Sequence, residues 1–220
     1  MEQKYLITKH YEECLSSYPK LIKLVKEGDF WRIDGCIDVT DDEGGYWETY
    51  EVSIFIPPDY PKDIPILQET GKKIKRESDW HMSSNGECCL ATRAKIFHDL
   101  SEGITLLKWL DKFAHPFLAN HVYRIKHNHY AHEEFSHGTK GIIEGWKKIT
   151  GVRDAVSILK HLVQITGYRT QALNRPCFCG SGKKYKRCYE ISPIEHRYGI
   201  PSIEILEDIK AISKSLGQRN

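Results

Sequence analysis

The chain has 220 residues, of which 40% are apolar and 28% are charged, and its formal net charge is +2. This length supports one domain with an appendage or two small domains, and the composition excludes a disordered or fibrous protein. No window approaches the ~18 consecutive apolar residues of a membrane span. The charge is too small to argue for direct nucleic-acid binding.

The cysteine content indicates where the protein works. There are seven cysteines, and their spacing does not resemble the disulfide framework of a small secreted domain. The N-terminus also lacks the apolar stretch of a secretory signal. We therefore expect a cytoplasmic protein whose thiols are reduced, catalytic or bound to metal.

The first quarter of the chain predicts helices followed by strands. Apolar residues at helical spacing predict a packing helix over 3–17, and a second short helix over 18–27. Period-two alternation then predicts strands over 31–39 and 50–56. The glycine-rich turn 41–45 between them predicts an antiparallel hairpin.

The middle of the chain predicts one more strand and one helix around a loop. A short strand is expected over 66–70, after a proline-rich connection. The basic run 71–76 is either a solvated loop or a docking surface for an acidic partner. The stretch 91–103 has no defined pattern, whereas 104–113 carries the apolar stripe of a core-facing helix.

Five histidines lie close together after this helix: His121, His127, His129, His132 and His137. A pair such as His129 and His132 could bind a metal from one helix face. No cysteine or clear carboxylate set completes such a site, so solvated or core-edge histidines are the favoured interpretation. Further on, helices are expected over 142–149 and 152–166, then a linker over 168–176 and a final helix over 203–216.

The segment 79–90 (Asp-Trp-His-Met-Ser-Ser-Asn-Gly-Glu-Cys-Cys-Leu) has the features of a nucleophile loop. A structural cysteine prefers apolar neighbours on a strand or helix, whereas this loop is rich in turn residues and hydrogen-bond donors. We predict that Cys89 is accessible and reactive. Cys88 is the alternative nucleophile, and the adjacent pair is also oxidisable.

The order of these motifs resembles that of the ubiquitin-conjugating enzymes. The matching residues are 60–65 (Tyr-Pro-Lys-Asp-Ile-Pro), then His81, then 86–90 (Gly-Glu-Cys-Cys-Leu). The resemblance covers about residues 1–125 and aligns Cys89 with the catalytic cysteine of the family. It implies an α+β fold with an N-terminal helix, an antiparallel β-meander and C-terminal helices.

The resemblance also implies a chemistry. Members of the family carry a ubiquitin-like modifier as a thioester on the cysteine and pass it to an amine. His81 would orient the loop or assist proton transfer. The His-Pro-Asn tripeptide of eukaryotic members is absent, because Met82 and Ser83 follow the histidine here. The donor role would pass to Asn85 or Ser83, or be absent.

A second cysteine cluster, near the C-terminus, predicts a zinc site. Its members are Cys177, Cys179 and Cys188, with two glycines that permit a tight turn and a basic run that favours thiolates. The stretch is similar to the short zinc motif at the C-terminus of the translocation ATPase SecA. Tyr189 stands where that motif has its fourth ligand, so His196 would substitute or water would complete the site.

These observations predict three segments: a ubiquitin-conjugating-like catalytic domain over 1–137, a helical connector over 138–175, and a zinc module with a terminal helix over 176–220. The resemblances imply a bacterial protein of anti-phage defence. Its partner would be a ubiquitin-like protein or the C-terminus of a cyclic-oligonucleotide synthase. A separate activating enzyme is expected, because no nucleotide-binding loop is present. The alternatives are a catalytically inactive adaptor of the same fold, and a docking or chaperone cofactor that works through its zinc module.

Overall fold

The computed structural model of the protein describes residues 2–41, 43–131, 135–166 and 198–217. Contacts divide the chain into two compact units. Unit 1 combines Met1–Ala91 with Gly103–Glu134, and unit 2 combines Thr92–Glu102 with Phe135–Asn220. The architecture is mixed α+β, as the residue patterns predict.

The helices in the described segments are α1 (Glu2–Leu15), α2 (Arg93–Asp99), α3 (Leu106–Trp109), α4 (His115–His127), α5 (Gly138–Thr150), α6 (Ala155–Thr166) and α7 (Ser202–Gly217). The strands are β1 (Lys23–Glu27), β2 (Phe30–Thr40), β3 (Tyr46–Ile56) and β4 (Ile66–Glu69). They form one antiparallel sheet in the order β1-β2-β3-β4. None of the described helices has the length and apolar character that a bilayer-spanning segment needs.

The predicted hairpin is confirmed and forms the centre of the sheet. Ile33 pairs with Ile54 and Ile37 pairs with Tyr50 across β2 and β3, and all four side chains are buried. Alternate residues of a strand point to one face, so these residues build the core of unit 1 from one side of the sheet. The predicted N-terminal helix and the strand over 66–70 are confirmed as α1 and β4.

The predicted short helix over 18–27 is wrong. Lys23–Glu27 is the edge strand β1, which pairs with β2 from Lys23 opposite Asp34 to Glu27 opposite Phe30. Gly28 and its neighbour Asp29 connect the two strands, and Gly28 adopts a positive φ of +59°. The few apolar residues in this segment have a spacing that is compatible with a helix or a strand. Pairing with the long neighbouring strand β2 stabilises the strand.

The predicted helix over 104–113 is longer than expected. Thr105 caps α3, and a π-helical turn over Leu110–Ala114 leads directly into α4. Pro116 therefore does not end the helix but lies in the first turn of α4. A π-turn shifts the hydrogen-bond register, which accommodates the proline nitrogen that has no hydrogen to donate.

Unit 2 is helical in its described residues. The stretch 91–103, which has no clear sequence pattern, contains α2, capped by the side chain of Thr92. The expected helices over 142–149, 152–166 and 203–216 are confirmed as α5, α6 and α7. Arg93 of α2 forms a bidentate ion pair with Glu204 of α7, at 2.8–3.0 Å.

A half-buried carboxyl group between α5 and α7 makes the stability of unit 2 depend on pH. The Trp146 indole N–H donates to Asp208 at 2.7 Å, and burial, with Glu204 and Glu207 nearby, raises the Asp208 pKa to about 6 from its usual 3.8. A raised folded-state pKa means that the stabilising contribution is complete below pH ~4 and is lost as the pH rises through ~6.

We expect Asp208→Asn to stabilise the protein at pH 7.5 by up to about 3 kcal/mol, because the amide keeps an acceptor for Trp146 and removes the buried charge. The gain should fall to about 0.5 kcal/mol at pH 4, because Asp208 is then protonated in the folded state and about half protonated in the unfolded state. Urea unfolding of both proteins across this pH range measures it. An equal gain in unfolding free energy at pH 4 and pH 7.5 would contradict the raised pKa of Asp208.

Candidate active site

The nucleophile loop is attached to the outer edge of β4. The Glu69 N–H donates to the Gly86 carbonyl at 2.9 Å, and the Cys88 N–H donates to the Leu67 carbonyl at 2.9 Å. Gln68 and Glu87 form an antiparallel bridge between these bonds. The residues just before Cys89 thus continue the sheet, and the cysteine follows directly from a rigid element.

Gly86 has a physical reason to be glycine. Its φ is +90°, and a Cβ atom built on it would lie 2.6 Å from the carbonyl oxygen of Glu69 and 3.0 Å from the Arg76 guanidinium. A side chain at this position would therefore push the loop away from β4. The glycine that precedes the two cysteines in the sequence motif lets the backbone approach the sheet.

The two adjacent cysteines lie in opposite environments. Cys88 is buried, and burial raises its thiol pKa to about 12. Cys89 is exposed. Neighbouring residues of an extended segment point to opposite sides, so the pairing of Cys88 with Leu67 turns one thiol inward and the other outward. Of the two alternatives in the sequence, Cys89 is the thiol that is accessible from solvent.

We expect iodoacetamide at pH 8 to alkylate Cys89 at least ~100-fold faster than Cys88, because the thiolate is the reactive form. Cys14, which burial also gives a pKa of about 12, is the matched buried control. Peptide mass spectrometry over a time course measures each thiol separately. Equal rates at Cys88 and Cys89 would rule out this division of roles.

His81 lies directly beside Cys89 and contacts it through the backbone. The Cys89 N–H donates to the His81 carbonyl at 2.8 Å, and the His81 N–H donates to the Ser78 carbonyl at 2.8 Å. His81 has a left-handed backbone, with φ +50° and ψ +36°. The residue is only 6% exposed, and its ring makes an edge contact with Tyr130. This geometry favours the loop-orienting role among the two predicted for His81.

Asn85 and Ser83 form the tip of the loop. The Glu87 N–H donates to the Ser83 hydroxyl at 2.8 Å and to the Asn85 side-chain oxygen at 3.2 Å, and the Ser83 hydroxyl also donates to that oxygen. Because the amide oxygen accepts these bonds, the Asn85 NH2 group is the part that can donate elsewhere. The Ser83 hydroxyl donates within the loop, so of the two predicted oxyanion donors Asn85 is the one we retain as the candidate.

An ion pair between the half-buried Arg76 and the buried Glu69 stabilises the loop next to β4, and the sequence analysis does not predict it. Glu69 is 0% exposed and lies 2.6 Å from the Arg76 guanidinium, which also donates to the Glu69 and Ile74 carbonyls. The Lys73 N–H donates to the other carboxylate oxygen at 3.1 Å. The expectation of a solvated loop over 71–76 is therefore wrong for Arg76 and for the buried Ile74.

The histidine-rich segment contains a core histidine. His121 is completely buried in α4, with its ring nitrogens 2.8 Å from the Phe117 and Trp80 carbonyls, and burial lowers its pKa. His132, one member of the predicted pair, lies outside the described residues. Within the part of the chain that the structure describes, no three His, Cys, Asp or Glu side chains form a metal-binding group.

The predicted zinc ligands Cys177, Cys179, Cys188 and His196 all lie outside the described residues. Their chemistry nevertheless suits zinc, because three thiolates and an imidazole are the ligand types of structural zinc sites. No curated protein and no solved structure matches the chain. The likeness of residues 1–125 to ubiquitin-conjugating enzymes therefore rests on the motifs in the sequence and stays a prediction.

One family model does match. It covers residues 174–188 and carries the description SEC-C motif, which is associated with zinc binding. The matched stretch includes Cys177, Cys179 and Cys188, so the predicted C-terminal cysteine motif is confirmed as a SEC-C motif. The chain thus carries a SEC-C motif at residues 174–188, which follow Cys89 in the sequence.

Proposed function

We propose that the protein is a ubiquitin-conjugating-like transferase that carries an acyl group as a thioester on Cys89. The observation that carries this proposal is the sorting of the two cysteines: Cys89 is exposed at the end of a sheet-paired segment, while Cys88 is buried. A carrier thiol must be rigidly placed and reachable by two large partners in turn, and a thiol on a loop tied to β4 meets both needs.

The proposed reaction has two steps, acylation of Cys89 and transfer of the acyl group to an amine. The Cys89 thiolate attacks the activated C-terminal carbonyl of the donor protein and displaces its leaving group, which is the thiol or adenylate of a separate activating enzyme. An amine then attacks the thioester carbonyl, loses a proton and releases the Cys89 thiolate. In both steps a negative charge develops on the carbonyl oxygen, and the Asn85 NH2 group is the proposed donor to it.

The proposed donor is a ubiquitin-like protein or the C-terminus of a cyclic-oligonucleotide synthase, in an anti-phage defence system. The motif resemblance supports this assignment. The SEC-C motif would bind zinc through Cys177, Cys179 and Cys188, with His196 as the proposed fourth ligand, and would serve docking or stability rather than the chemistry.

The test is co-expression with the proteins encoded next to it, followed by intact-mass analysis and a non-reducing gel. We expect wild type to carry an adduct that a thiol reductant removes, and Cys89→Ala to lack it. Cys36→Ala is the matched control, because Cys36 is a half-buried thiol on β2, and it should keep the adduct. No adduct in the wild type, with all partners expressed, would reject the transferase.

The SEC-C match supports a second candidate, a docking or chaperone cofactor that works through its zinc module. A catalytically inactive adaptor of the same fold belongs to the same class. Cys177→Ser and Cys89→Ala separate the two candidates in the host cell. Loss of function with Cys177→Ser alone would favour docking, whereas loss with Cys89→Ala supports the transferase.

A further inference from the structure

The chain turns back onto α4 directly after the helix ends. Asn128 ends α4 in the left-handed conformation, and its N–H donates to the Arg124 carbonyl at 2.7 Å. The Ala131 N–H donates to the side-chain oxygen of the buried Asn120 at 2.9 Å. Asparagine tolerates this backbone well, so the turn is stable. It holds Tyr130 against the face of α4 that carries Arg124.

Arg124 and Tyr130 form a stacked pair with Trp80. The Arg124 guanidinium lies 3.8 Å from the centre of the Trp80 ring and 4.5 Å from that of Tyr130. It donates to the Tyr130 hydroxyl at 2.6 Å and to the Asp79 carbonyl. The Tyr130 hydroxyl donates to the same carbonyl at 3.3 Å. Stacking and hydrogen bonding together fix the plane of the guanidinium.

These contacts converge on the turn that precedes His81. Asp79 and Trp80 belong to the 3-10 turn Ser78–Trp80, whose last carbonyls lack partners within the turn itself. Arg124 and Tyr130 donate hydrogen bonds to the Asp79 carbonyl, and the His121 ring lies 2.8 Å from the Trp80 carbonyl. The next residue is His81, whose own carbonyl accepts the Cys89 N–H.

We infer that Arg124 and Tyr130 are positioning residues for acyl transfer at Cys89. They hold the turn that keeps His81 in its left-handed conformation, and His81 in that conformation holds the Cys89 backbone. A left-handed backbone is less favourable at histidine than at glycine or asparagine, and at His81 it depends on the contacts that surround the turn. This inference rests on the proposed function, because it assigns the pair a role in that reaction.

If Arg124 and Tyr130 position Cys89, substitutions of these residues should slow acyl transfer without a large loss of folding stability. Displacement of a reacting group by about 1 Å lowers a rate by up to about 100-fold. Tyr130→Phe removes one hydroxyl from the network and should slow acyl transfer by about tenfold. Arg124→Met should slow it more than Arg124→Lys, because lysine keeps a donor for the Asp79 carbonyl.

The assay uses the full chain and a small acyl donor, the benzoyl thioester of 2-sulfanylethanesulfonate. The Cys89 thiolate attacks the thioester carbonyl and releases the small thiol. Free lysine then attacks the S-benzoyl group, which yields benzoyl-lysine and the free thiol. Peptide mass spectrometry follows loading and loss at Cys89. Hydrogen exchange of the Met82 and Cys89 amides is measured on the same variants.

The matched control is Tyr123→Phe, a tyrosine on α4 that stacks on His127 at 4.2 Å instead. We expect this control to stay within twofold of wild type in aminolysis and in amide exchange. Tyr130→Phe should slow aminolysis about tenfold and speed exchange at Cys89 about tenfold, with the β2 amides unchanged.

The outcomes separate the two proposals. If Tyr130→Phe and Tyr123→Phe have the same aminolysis rate, the inference is overturned, whether or not the rate of amide exchange changes. Slower aminolysis without faster exchange also overturns it, since Tyr130 would then act on the acyl group directly. If co-expression yields no adduct while the benzoyl assay shows both expected effects, the proposed function fails and the positioning of Cys89 stands.

Discussion

Arg76→Met is expected to destabilise the protein by about 3–5 kcal/mol, because it leaves a buried carboxylate without its cationic partner. Glu69 is 0% exposed, and Arg76 is 2.6 Å from its carboxylate. The substitution also removes the donors to the Glu69 and Ile74 carbonyls. Urea unfolding followed by far-UV circular dichroism measures the free energy of unfolding.

Lys73→Met is the matched control for this experiment. Lys73 pairs with Glu48 at 2.7 Å, but their side chains are 43% and 40% exposed. Exposed pairs contribute about 0–1 kcal/mol, so the control should lose little stability. The double variant Arg76→Met with Glu69→Gln should recover part of the loss, because it removes the uncompensated charge. Equal losses for Arg76→Met and Lys73→Met would show that burial adds nothing to the Glu69 pair.

Gly86→Ala is expected to destabilise the protein by about 3 kcal/mol and to lower acylation of Cys89 by at least ~10-fold. Its φ of +90° disfavours any side chain, and the new Cβ would lie 2.6 Å from the Glu69 carbonyl oxygen. The loop can relieve this contact only by giving up its bonds to Glu69 and Leu67. Unfolding and the benzoyl thioester assay measure the two effects.

Gly44→Ala is the matched control for Gly86→Ala, because it introduces the backbone strain without the steric contact. Gly44 has a similar φ of +82°, and nothing lies within 4 Å of its added Cβ. We expect it to lose about 1 kcal/mol and to acylate Cys89 at the wild-type rate. If Gly86→Ala were no more harmful than Gly44→Ala, the close approach of the loop to β4 would have no role in presenting Cys89.

Local patterns predict most of the elements of this fold, and the segment 18–27, where the predicted element is of the wrong type, is instructive. Alternation along β2 and β3 and helical spacing in α1, α6 and α7 reflect burial of one face, which the residue order records directly. The segment 18–27 fails because its apolar residues suit both periods. The decision for β1 comes from hydrogen bonds to Phe30–Asp34, which no local pattern contains.

For the site, the residue order predicts the glycine, the turn and a reactive cysteine, but it leaves Cys88 and Cys89 as alternatives. Pairing of Cys88 with Leu67 distinguishes them, because a strand partner determines which side chain faces the core. The sequence likewise marks 71–76 only as basic. In the structure the chain folds onto β4, and Arg76 forms an ion pair with Glu69, seven residues earlier in the sequence.

The sequence by itself determined the α+β class and the SEC-C motif at 174–188, and it located the loop for which we predict a nucleophile. These depend on residue type and spacing along the chain. Only the tertiary structure decided which thiol is exposed, why Gly86 is glycine, and that α4 and Tyr130 reach back to the turn before His81. Such features arise from contacts between residues distant in the chain, where burial and hydrogen-bond pairing outweigh local preference.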